Sequence, residues 1–255
     1  MPALELPEHD IVCIRAPNPG PYTLTGTNSW IVGRGPGWLI DPGPALDEHL
    51  NALTAELERR GGLGGIALTH DHIDHSEAVP HLTARYADAP VAAAHGQVDV
   101  ILGDCETFGP LETISTPGHA PDHLTFIAGK TGFTGDTVLG EGSVFIAPDP
   151  GALTSYLAAL HRLRALNLEL ICPGHGPVVR DPNAKLDEYI AHRMDRERRV
   201  LEALAKGRRT ADELLDEVWN DAPRALRQAA AVTLRAHLDK LAEEGRLPPG
   251  VERPA

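Results

Sequence analysis

Short apolar runs separated by Gly and Pro dominate the first 180 residues of this chain. The segment 46–60 predicts a helix, and apolar residues at every third or fourth position of 149–166 form a helical stripe that would pack on a sheet. We predict strands at 10–15, 27–32, 37–40 and 64–69. This alternation of strands and helices is typical of an α/β protein and favours an αββα sandwich.

The pattern changes past residue 183, where Leu, Ala, Arg and Glu replace the glycines and β-branched runs. We predict one long helix at 184–206. A second begins at Thr210, because Thr210 and Glu213 have the spacing of a capping box. A third helix at 223–244 would end at Gly245.

These two patterns divide the chain into two predicted domains. We assign residues 1–182 to an α/β sandwich domain and residues 183–255 to a small helical domain. Three helices followed by a short segment rich in Gly and Pro favour a winged-helix-like fold for the second domain. A helical lid, or the arm of a homodimer, is the alternative interpretation.

The composition is that of a protein with a large core. The chain has 255 residues, 42% of them hydrophobic, and no run of 18 apolar residues. Because the first thirty residues lack a basic start followed by an apolar core, we expect no signal peptide, a cytoplasmic location and no membrane partner. The three cysteines are widely spaced and form no CxxC pair, which favours reduced, buried thiols.

Charge is unevenly distributed along the chain. The formal net charge is −13, and residues 1–184 hold 9 Lys and Arg against 22 Asp and Glu, whereas the rest hold 14 of each kind. This balance argues against a protein that wraps long nucleic acid without sequence preference.

The clearest chemical signal follows the strand predicted at 64–69. The segment Thr69-His70-Asp71-His72-Ile73-Asp74-His75 places three histidines and two aspartates within six positions. That composition is typical of a metal site, and a loop that leaves a strand can aim several side chains at one point. We expect the loop to continue to a helix that begins near Ser76 and tolerates Pro80 in its first turn.

Three later motifs supply the ligands that two metal ions would still lack. Each follows a β-like run, at 112–115, 131–134 or 169–172, where Gly or Pro lets the backbone turn the next side chain inward. The motifs are Thr116-Pro117-Gly118-His119, Gly135-Asp136-Thr137 and Cys172-Pro173-Gly174-His175-Gly176. A lone His119 or His175 would favour an ordinary loop histidine, but together with the first cluster both are interpreted as ligands.

The ordered pattern His-x-His-x-Asp-His, His, Asp, His closely resembles that of the metallo-β-lactamase-fold hydrolases over residues 10–180. The resemblance implies two divalent metal ions as cofactors. Zn²⁺ is the first expectation, and iron or manganese also suits ligands of nitrogen and oxygen. It implies His70, His72 and His119 on the first ion, Asp74, His75 and His175 on the second, and Asp136 bridging both.

Two divalent ions at this site predict a hydrolase. Metal ions about 3.5–4 Å apart lower the pKa of a bridging water towards neutrality, so the expected nucleophile is a metal-bridging hydroxide. As catalytic residues we predict Asp74, which would bind metal and orient the hydroxide, and His123, which would donate to substrate or leaving group. A structural role is the alternative for His123.

Three further residues are weaker candidates around the site. Asp41 follows a β-like run and would accept a hydrogen bond from a ligand histidine, unless it only forms a turn. Asn28 and Trp30 would line the pocket, with a place in the core as the alternative for Trp30.

The run from Gly135 to Gly142 and the helical tail most resemble the lactamase-beta-like protein 2 branch of this superfamily. The resemblance implies a substrate that is either short single-stranded RNA, cleaved at a phosphodiester, or a small-molecule thioester or ester. Basic clusters at 192–199 and 206–209 would hold RNA phosphates, but Asp195 and Glu197 interrupt the first cluster, which favours a solvated helix face. Aromatic residues make up only 4% of the chain, which leaves little material for base stacking.

Other functions remain open at this point. A glyoxalase II-like thioesterase or a lactonase would use the same metal site. A DNA-binding regulator with a metal-sensing domain is disfavoured, because such a protein is expected to have lost ligands and this chain keeps all seven. True β-lactamase activity is disfavoured because enzymes of that kind are exported and no signal is visible here.

Overall fold

Two β-sheets form the centre of the first domain in the computed structural model, which describes residues 3–254. The seven-stranded sheet is antiparallel from β1 to β4 and parallel from β4 to β7. Its strands, in spatial order, are β1 (Leu4–Leu6), β2 (Ile11–Arg15), β3 (Asn28–Val32), β4 (Gly37–Ile40), β5 (Leu63–Ala67), β6 (Val91–Ala93) and β7 (Val100–Ile101).

The second sheet has five strands in the order β12-β11-β10-β9-β8. Its strands are β8 (Thr107–Phe108), β9 (Leu111–Ser115), β10 (Leu124–Ala128), β11 (Thr131–Gly135) and β12 (Leu170–Pro173). The pairs β8–β9, β9–β10 and β10–β11 are antiparallel, and β11–β12 is parallel.

Helices cover both sheets and form the tail. They are α1 (Asp47–Arg59), α2 (Ile73–Ser76), α3 (Val79–Arg85), α4 (Ala152–Ala165), α5 (Pro182–Ala205), α6 (Ala211–Val218) and α7 (Arg227–Glu243). Single 3₁₀ turns lie at Pro7–His9 and Arg224–Leu226. Between residues 3 and 254, none of the helices combines the length and the apolar character needed to cross a bilayer.

The layers follow from three apolar cores. Trp30 and Phe133 lie between the two sheets, Leu53 of α1 packs on the outer face of the seven-stranded sheet, and Leu153 of α4 packs on the outer face of the other. Strands β3 and β11 are buried along their whole length because both of their faces are covered. The predicted αββα sandwich is therefore confirmed.

The helical tail has a core of its own, built from α5, α6 and α7 around Leu204, Leu214 and Leu238. The predicted capping box at the start of α6 is present, with the Thr210 side chain accepting from the backbone of Glu213. Helix α5 belongs to both units, because its first half packs on α4 and its second half on α6. The boundary at residues 182 and 183 stays a prediction.

Two local expectations are wrong. The segment 70–75 is not a loop throughout, since Ile73–Ser76 form one helical turn before α3 begins at Val79 with Pro80 in its first turn. Asp74 and His75 therefore project from a helical turn rather than from an extended loop. Cys105 is exposed, whereas Cys13 and Cys172 are buried as expected.

Candidate metal centre

The four ligand motifs meet at one edge of the sandwich because each follows the carboxyl end of a strand. In the five-stranded sheet, β10 runs antiparallel to both β9 and β11, so β9, β11 and β12 all point towards the same edge. His119, Asp136 and His175 follow these three strands. The segment after β5 of the facing sheet brings its histidines to the same place.

His70, His72 and His119 form the first group of the centre. His70 Nε2 lies 2.9 Å from His72 Nδ1, and His119 Nε2 lies 3.1 Å from that same His72 nitrogen. His70 and His119 are almost completely buried. Three nitrogens that face one another at this spacing could bind one metal ion as ligands on the same side.

Asp74, His75 and His175 form the second group. His175 Nε2 lies 3.3 Å from His75 Nε2 and 3.2 Å from Asp74 Oδ2. The Asp74 oxygen is also 3.6 Å from His75 Nε2. Asp74 is only half-buried, so this group faces solvent on one side.

Asp136 links the two groups through its two carboxylate oxygens. Oδ2 lies 3.6 Å from His119 Nε2 in the first group. Oδ1 lies 3.5 Å from His75 Nε2 and 3.4 Å from His175 Nε2 in the second. Oδ1 is buried and, within the described residues, accepts no hydrogen bond.

The donor set fits divalent metal ions. Ligands about 2.0–2.1 Å from a tetrahedral ion lie roughly 3.3–3.4 Å from one another, and the neighbouring donor atoms here are separated by 2.9 to 3.6 Å. A buried carboxylate oxygen without a partner costs free energy, so Asp136 Oδ1 also points to a missing cation. The cluster therefore has the chemistry and the spacing of a metal site.

In most of the cluster histidines, the ring nitrogen that points away from the cluster contacts a neighbouring group, and this contact orients the ring. His75 Nδ1 lies 2.9 Å from Asp41 Oδ2, and His70 Nδ1 lies 2.9 Å from the hydroxyl of Thr69. His119 Nδ1 and His175 Nδ1 donate to the backbone carbonyls of Phe145 and Gly26, at 3.2 and 3.3 Å. These contacts set the tautomer and leave the other nitrogen free for an ion.

The expected contact of Asp41 with a cluster histidine is thus confirmed. Asp41 is buried and has a positive φ of 51°, a strained conformation for a residue with a side chain. The backbone N–H and the hydroxyl of Thr69 both donate to its carboxylate, each at 2.8 Å. Asp41 therefore ties the end of β4 to the segment that carries His70 and His75.

His123 is placed for support rather than for contact with substrate. Its side chain is fully buried, and its Nε2 accepts from the backbone N–H of Asp136 at 3.1 Å. Its Nδ1 lies within 3.1 Å of the hydroxyls of Thr116 and Thr137. Both nitrogens are engaged, so the geometry favours the structural alternative, in which His123 positions the turn that carries Asp136.

Asn28 and Trp30 do not line the pocket. Trp30 lies in the core, and its indole N–H donates to the carbonyl of Pro173 at 3.0 Å. The Asn28 amide donates to the carbonyls of Pro173 and Gly176. Both side chains therefore hold the turn that presents His175, a role that no local sequence signal indicates.

The charges of the cluster balance one another. Burial opposes ionisation of Asp136, but the imidazoles of His75 and His175 outweigh it and hold the pKa of Asp136 well below its ordinary value. For His175 burial acts in the opposite direction to the carboxylates of Asp136 and Asp74, which prevail and raise its pKa to about 10. Burial lowers the pKa of His119 to about 4, which keeps that imidazole neutral, the form that binds metal.

A cavity of about 400 Å³ opens from the cluster towards the helical tail. His119 and Asp136 form its floor, and Phe145 packs against His119 with ring centroids 4.6 Å apart. Helices α5 and α7 and the segment between α6 and α7 supply much of the opposite wall, including Arg193 and Trp219. Arg193 belongs to the basic cluster at 192–199, but no sequence signal indicated Trp219, because the wall is formed by segments that are far apart along the chain.

Comparison with known proteins agrees with this geometry. The model of the metallo-beta-lactamase superfamily matches residues 22–101 and 96–175, and that of the beta-lactamase associated winged helix domain matches residues 210–247. A beta-lactamase-like protein 2 homolog from Caenorhabditis elegans is 34% identical over 248 residues, which cover 89% of this chain and 82% of that protein.

Two solved structures show the same fold. A beta-lactamase domain protein from Burkholderia ambifaria aligns with a TM-score of 0.80 at 18% identity and covers 95% of this chain and 89% of its own. A protein crystallised in a di-iron-bound form aligns with a TM-score of 0.53 at 29% identity, over 67% of this chain and 95% of that one. Fold, cluster and sequence matches together place this chain in the metallo-beta-lactamase superfamily of metal-dependent hydrolases, with a beta-lactamase associated winged helix domain at its carboxyl end.

Proposed function

We propose that this chain is a dinuclear metallohydrolase that cleaves a small-molecule thioester or ester. The observation that carries the two-ion proposal is the position of Asp136, whose two oxygens face different groups of ligands. The di-iron-bound form of a structural neighbour supports the same number of ions. Zn²⁺ is the metal we propose first, with iron or manganese as alternatives.

The residues have distinct proposed roles. When bound, divalent ions supply Lewis acidity and a water molecule of lowered pKa. Asp74 is half-buried at the open side of the second group; its Oδ2 faces His175 as the proposed ligand atom, and its other carboxylate oxygen would orient that water and take its proton. His123 holds Asp136 in position. The proposed metal ligands are His70, His72, His119, Asp74, His75, His175 and Asp136.

The reaction proposed is an acyl hydrolysis. The oxygen of water adds to the carbonyl carbon, and the bond from that carbon to sulfur or oxygen then breaks. One proton of the water passes to the carboxylate oxygen of Asp74 that does not face the second group, and from there to the leaving thiolate or alkoxide. The products are a carboxylic acid and a thiol or alcohol.

The cavity supports a small substrate over RNA. A space of about 400 Å³, walled by the helical tail and lined mainly by apolar side chains, suits a small molecule with an apolar body. The basic clusters of the tail are largely neutralised, because Arg198 pairs with Asp195 and Glu202, and Arg208 pairs with Glu217. Little exposed positive charge is left there to bind an RNA backbone.

A metal analysis combined with a substrate panel tests the proposal. We expect close to two ions per chain and chelator-sensitive hydrolysis of thioesters or esters, with little turnover of short single-stranded RNA, lactones or β-lactams. His70→Ala and His175→Ala should each lose several orders of magnitude in rate, whereas the exposed His81→Ala should not. Full activity with one ion or none would contradict the dinuclear site, and RNA cleavage without acyl hydrolysis would contradict the substrate.

A further inference from the structure

One buried cation in the wall of the cavity beside the cluster has no ionic partner in the part of the chain that the structure describes. Arg193 lies on α5, is only 2% exposed, and lines the same cavity as His119 and Asp136. Burying a guanidinium is costly unless a carboxylate or several acceptors compensate for the lost water. The contacts of Arg193 therefore decide whether the cost of burying its charge is compensated.

The neighbours of Arg193 satisfy it only in part. One Nη2 donor reaches the backbone carbonyl of Val144, and the guanidinium carbon lies 5.3 Å above the ring of Tyr156. Among residues 3–254, its Nε is buried without an acceptor and no carboxylate forms an ion pair with it. The Nε donor is left without an acceptor among the described residues, and the positive charge is offset by the ring and hydroxyl of Tyr156 but by no carboxylate.

A second buried arginine, one turn further along α5, has a carboxylate that compensates for its charge. Arg196 lines the same cavity, but it forms an ion pair with Asp221 at 2.9 Å and donates to the carbonyl of Val218. Its guanidinium also lies over the ring of Trp219, and its Nε, like that of Arg193, is buried without an acceptor among the described residues, so the carboxylate is the difference between the two. The protein thus supplies a carboxylate to one of the two buried arginines and leaves the other without one.

We propose that Arg193 receives an anionic group of the substrate, so that the enzyme selects acyl compounds that carry a carboxylate or phosphate oxyanion. The proposal rests on the proposed acyl hydrolysis and names the class of its substrate. The planar fork of a guanidinium matches two oxygens of such a group. Apolar wall residues such as Phe145 and Leu226 would contact the body of the substrate.

A set of matched thioesters tests this assignment. S-phenyl monothiosuccinate carries a free carboxylate, its methyl ester is neutral, and an analogue that ends in a phosphate tests the second oxyanion. We expect the wild-type metal-loaded enzyme to favour at least one of the anionic compounds by about 10- to 100-fold in kcat/KM, the range for a charge-assisted hydrogen bond. The anionic compound with the higher kcat/KM shows whether the site binds a carboxylate or a phosphate.

Two variants and one control separate recognition from structure. Arg193→Gln should remove the preference, so that the ratio of kcat/KM for the preferred anion to kcat/KM for the neutral ester falls by about 10- to 100-fold. Arg193→Lys should restore part of the preference, since it keeps the charge. Arg198→Gln removes an exposed arginine of the same helix and should leave kcat/KM for both substrates unchanged.

Several outcomes would overturn the proposal. An equal loss on anionic and neutral thioesters in both Arg193 variants would show a structural role, and a wild-type enzyme without preference would show no recognition. If no thioester is hydrolysed, the proposed function fails, and binding of succinanilate and its methyl ester, measured by calorimetry, still tests Arg193. If Arg193 recognises the anion, succinanilate should bind at least about tenfold more weakly to Arg193→Gln than to the wild type. Equal binding of succinanilate to both proteins would refute the proposal.

Discussion

Asp41 shows, at the scale of single residues, how a metal site depends on groups that do not touch the metal. It is a charged group behind the cluster histidines, and it joins His75 to Thr69 in a strained backbone conformation. A strained backbone conformation persists when several surrounding contacts hold it in place. Here the contacts fix the ring of His75 towards Asp136.

We expect Asp41→Asn to weaken the binding of one of two metal ions by about 10- to 100-fold, because the amide cannot hold the His75 N–H as strongly as a carboxylate does. Metal titration against a competing chelator measures the effect. The exposed Asp88→Asn is the control and should bind metal as the wild type does. Unchanged affinity in Asp41→Asn would mean that Asp41 only closes the turn after β4.

Gly174 is the second residue that the cluster depends on. A Cβ atom at this position would lie 2.6 Å from Asp136 Oδ1 and 2.8 Å from the His75 ring. Neither group can retreat without leaving its place in the cluster, because both are buried. The glycine therefore keeps the space between two proposed ligands open.

Gly174→Ala should lower the rate of hydrolysis by about 100-fold, since displacement of a ligand by about 1 Å misplaces the reacting groups. Bound metal per chain should fall below that of the wild type. Gly103→Ala is a matched control, because its Cβ would meet nothing closer than 3.7 Å. Normal rate and metal content in Gly174→Ala would show that the cluster adapts.

At the scale of elements, helix α1 supports the turn that follows β4. His49 on α1 is buried, and its Nε2 lies 3.0 Å from both the Pro42 carbonyl and the Ser29 hydroxyl. Burial lowers the pKa of His49 to about 4, although the hydrogen bond to Pro42 partly opposes that shift. The helix thus contributes a neutral imidazole to the wall of the turn that contains Asp41.

This shift predicts a loss of stability in acid. Because the pKa of His49 is lower in the folded state than its ordinary 6.5, the unfolded chain takes up the proton first as the pH falls. Stability is full above about pH 6.5 and is lost progressively down to about pH 4, by about 2 kcal/mol at pH 5.

Urea unfolding at pH 7 and pH 5 checks the prediction. His49→Gln cannot titrate, so its free energy of unfolding should fall between these pH values by about 2 kcal/mol less than that of the wild type. An equal fall in both proteins would assign the acid sensitivity to other groups.

At the scale of the whole molecule, the cluster joins the two sheets. His70 and His75 follow β5 of one sheet, whereas His119, Asp136 and His175 follow strands of the other. An ion bound by donors from both sheets binds only the folded chain, and so its binding free energy adds to stability.

Removal of metal should therefore lower the unfolding midpoint of the whole first domain. At a free metal concentration of about 1,000 times Kd, the loss is about 4 kcal/mol. Urea unfolding with and without chelator measures it, and in Asp136→Asn the chelator should have a much smaller effect. An unchanged midpoint in the chelated wild type would show that the bound ions do not connect the sheets.

The sequence alone determined those features that depend on neighbours along the chain. Apolar spacing predicted the strands around the site and the helices that cover it, and the capping box located the start of α6. The seven residues that meet in the cluster were identified through the order of their short motifs, which resembles that of the metallo-β-lactamase-fold hydrolases. Most of them lie in a segment that follows a strand, where a short motif of His, Asp, Gly and Pro sets the local backbone, and Asp74 and His75 lie on the helical turn beyond it.

Only the tertiary structure decided what depends on residues far apart. Which oxygen of Asp136 faces which group, the support that Trp30 gives to the turn of His175, and the engagement of both His123 nitrogens all arise from packing between sheets. The isolation of Arg193 likewise depends on Val144 and Tyr156, which lie more than 35 positions away. Periodicity reports which face of an element is buried, but not which side chain from another element meets it, because that depends on how the layers pack.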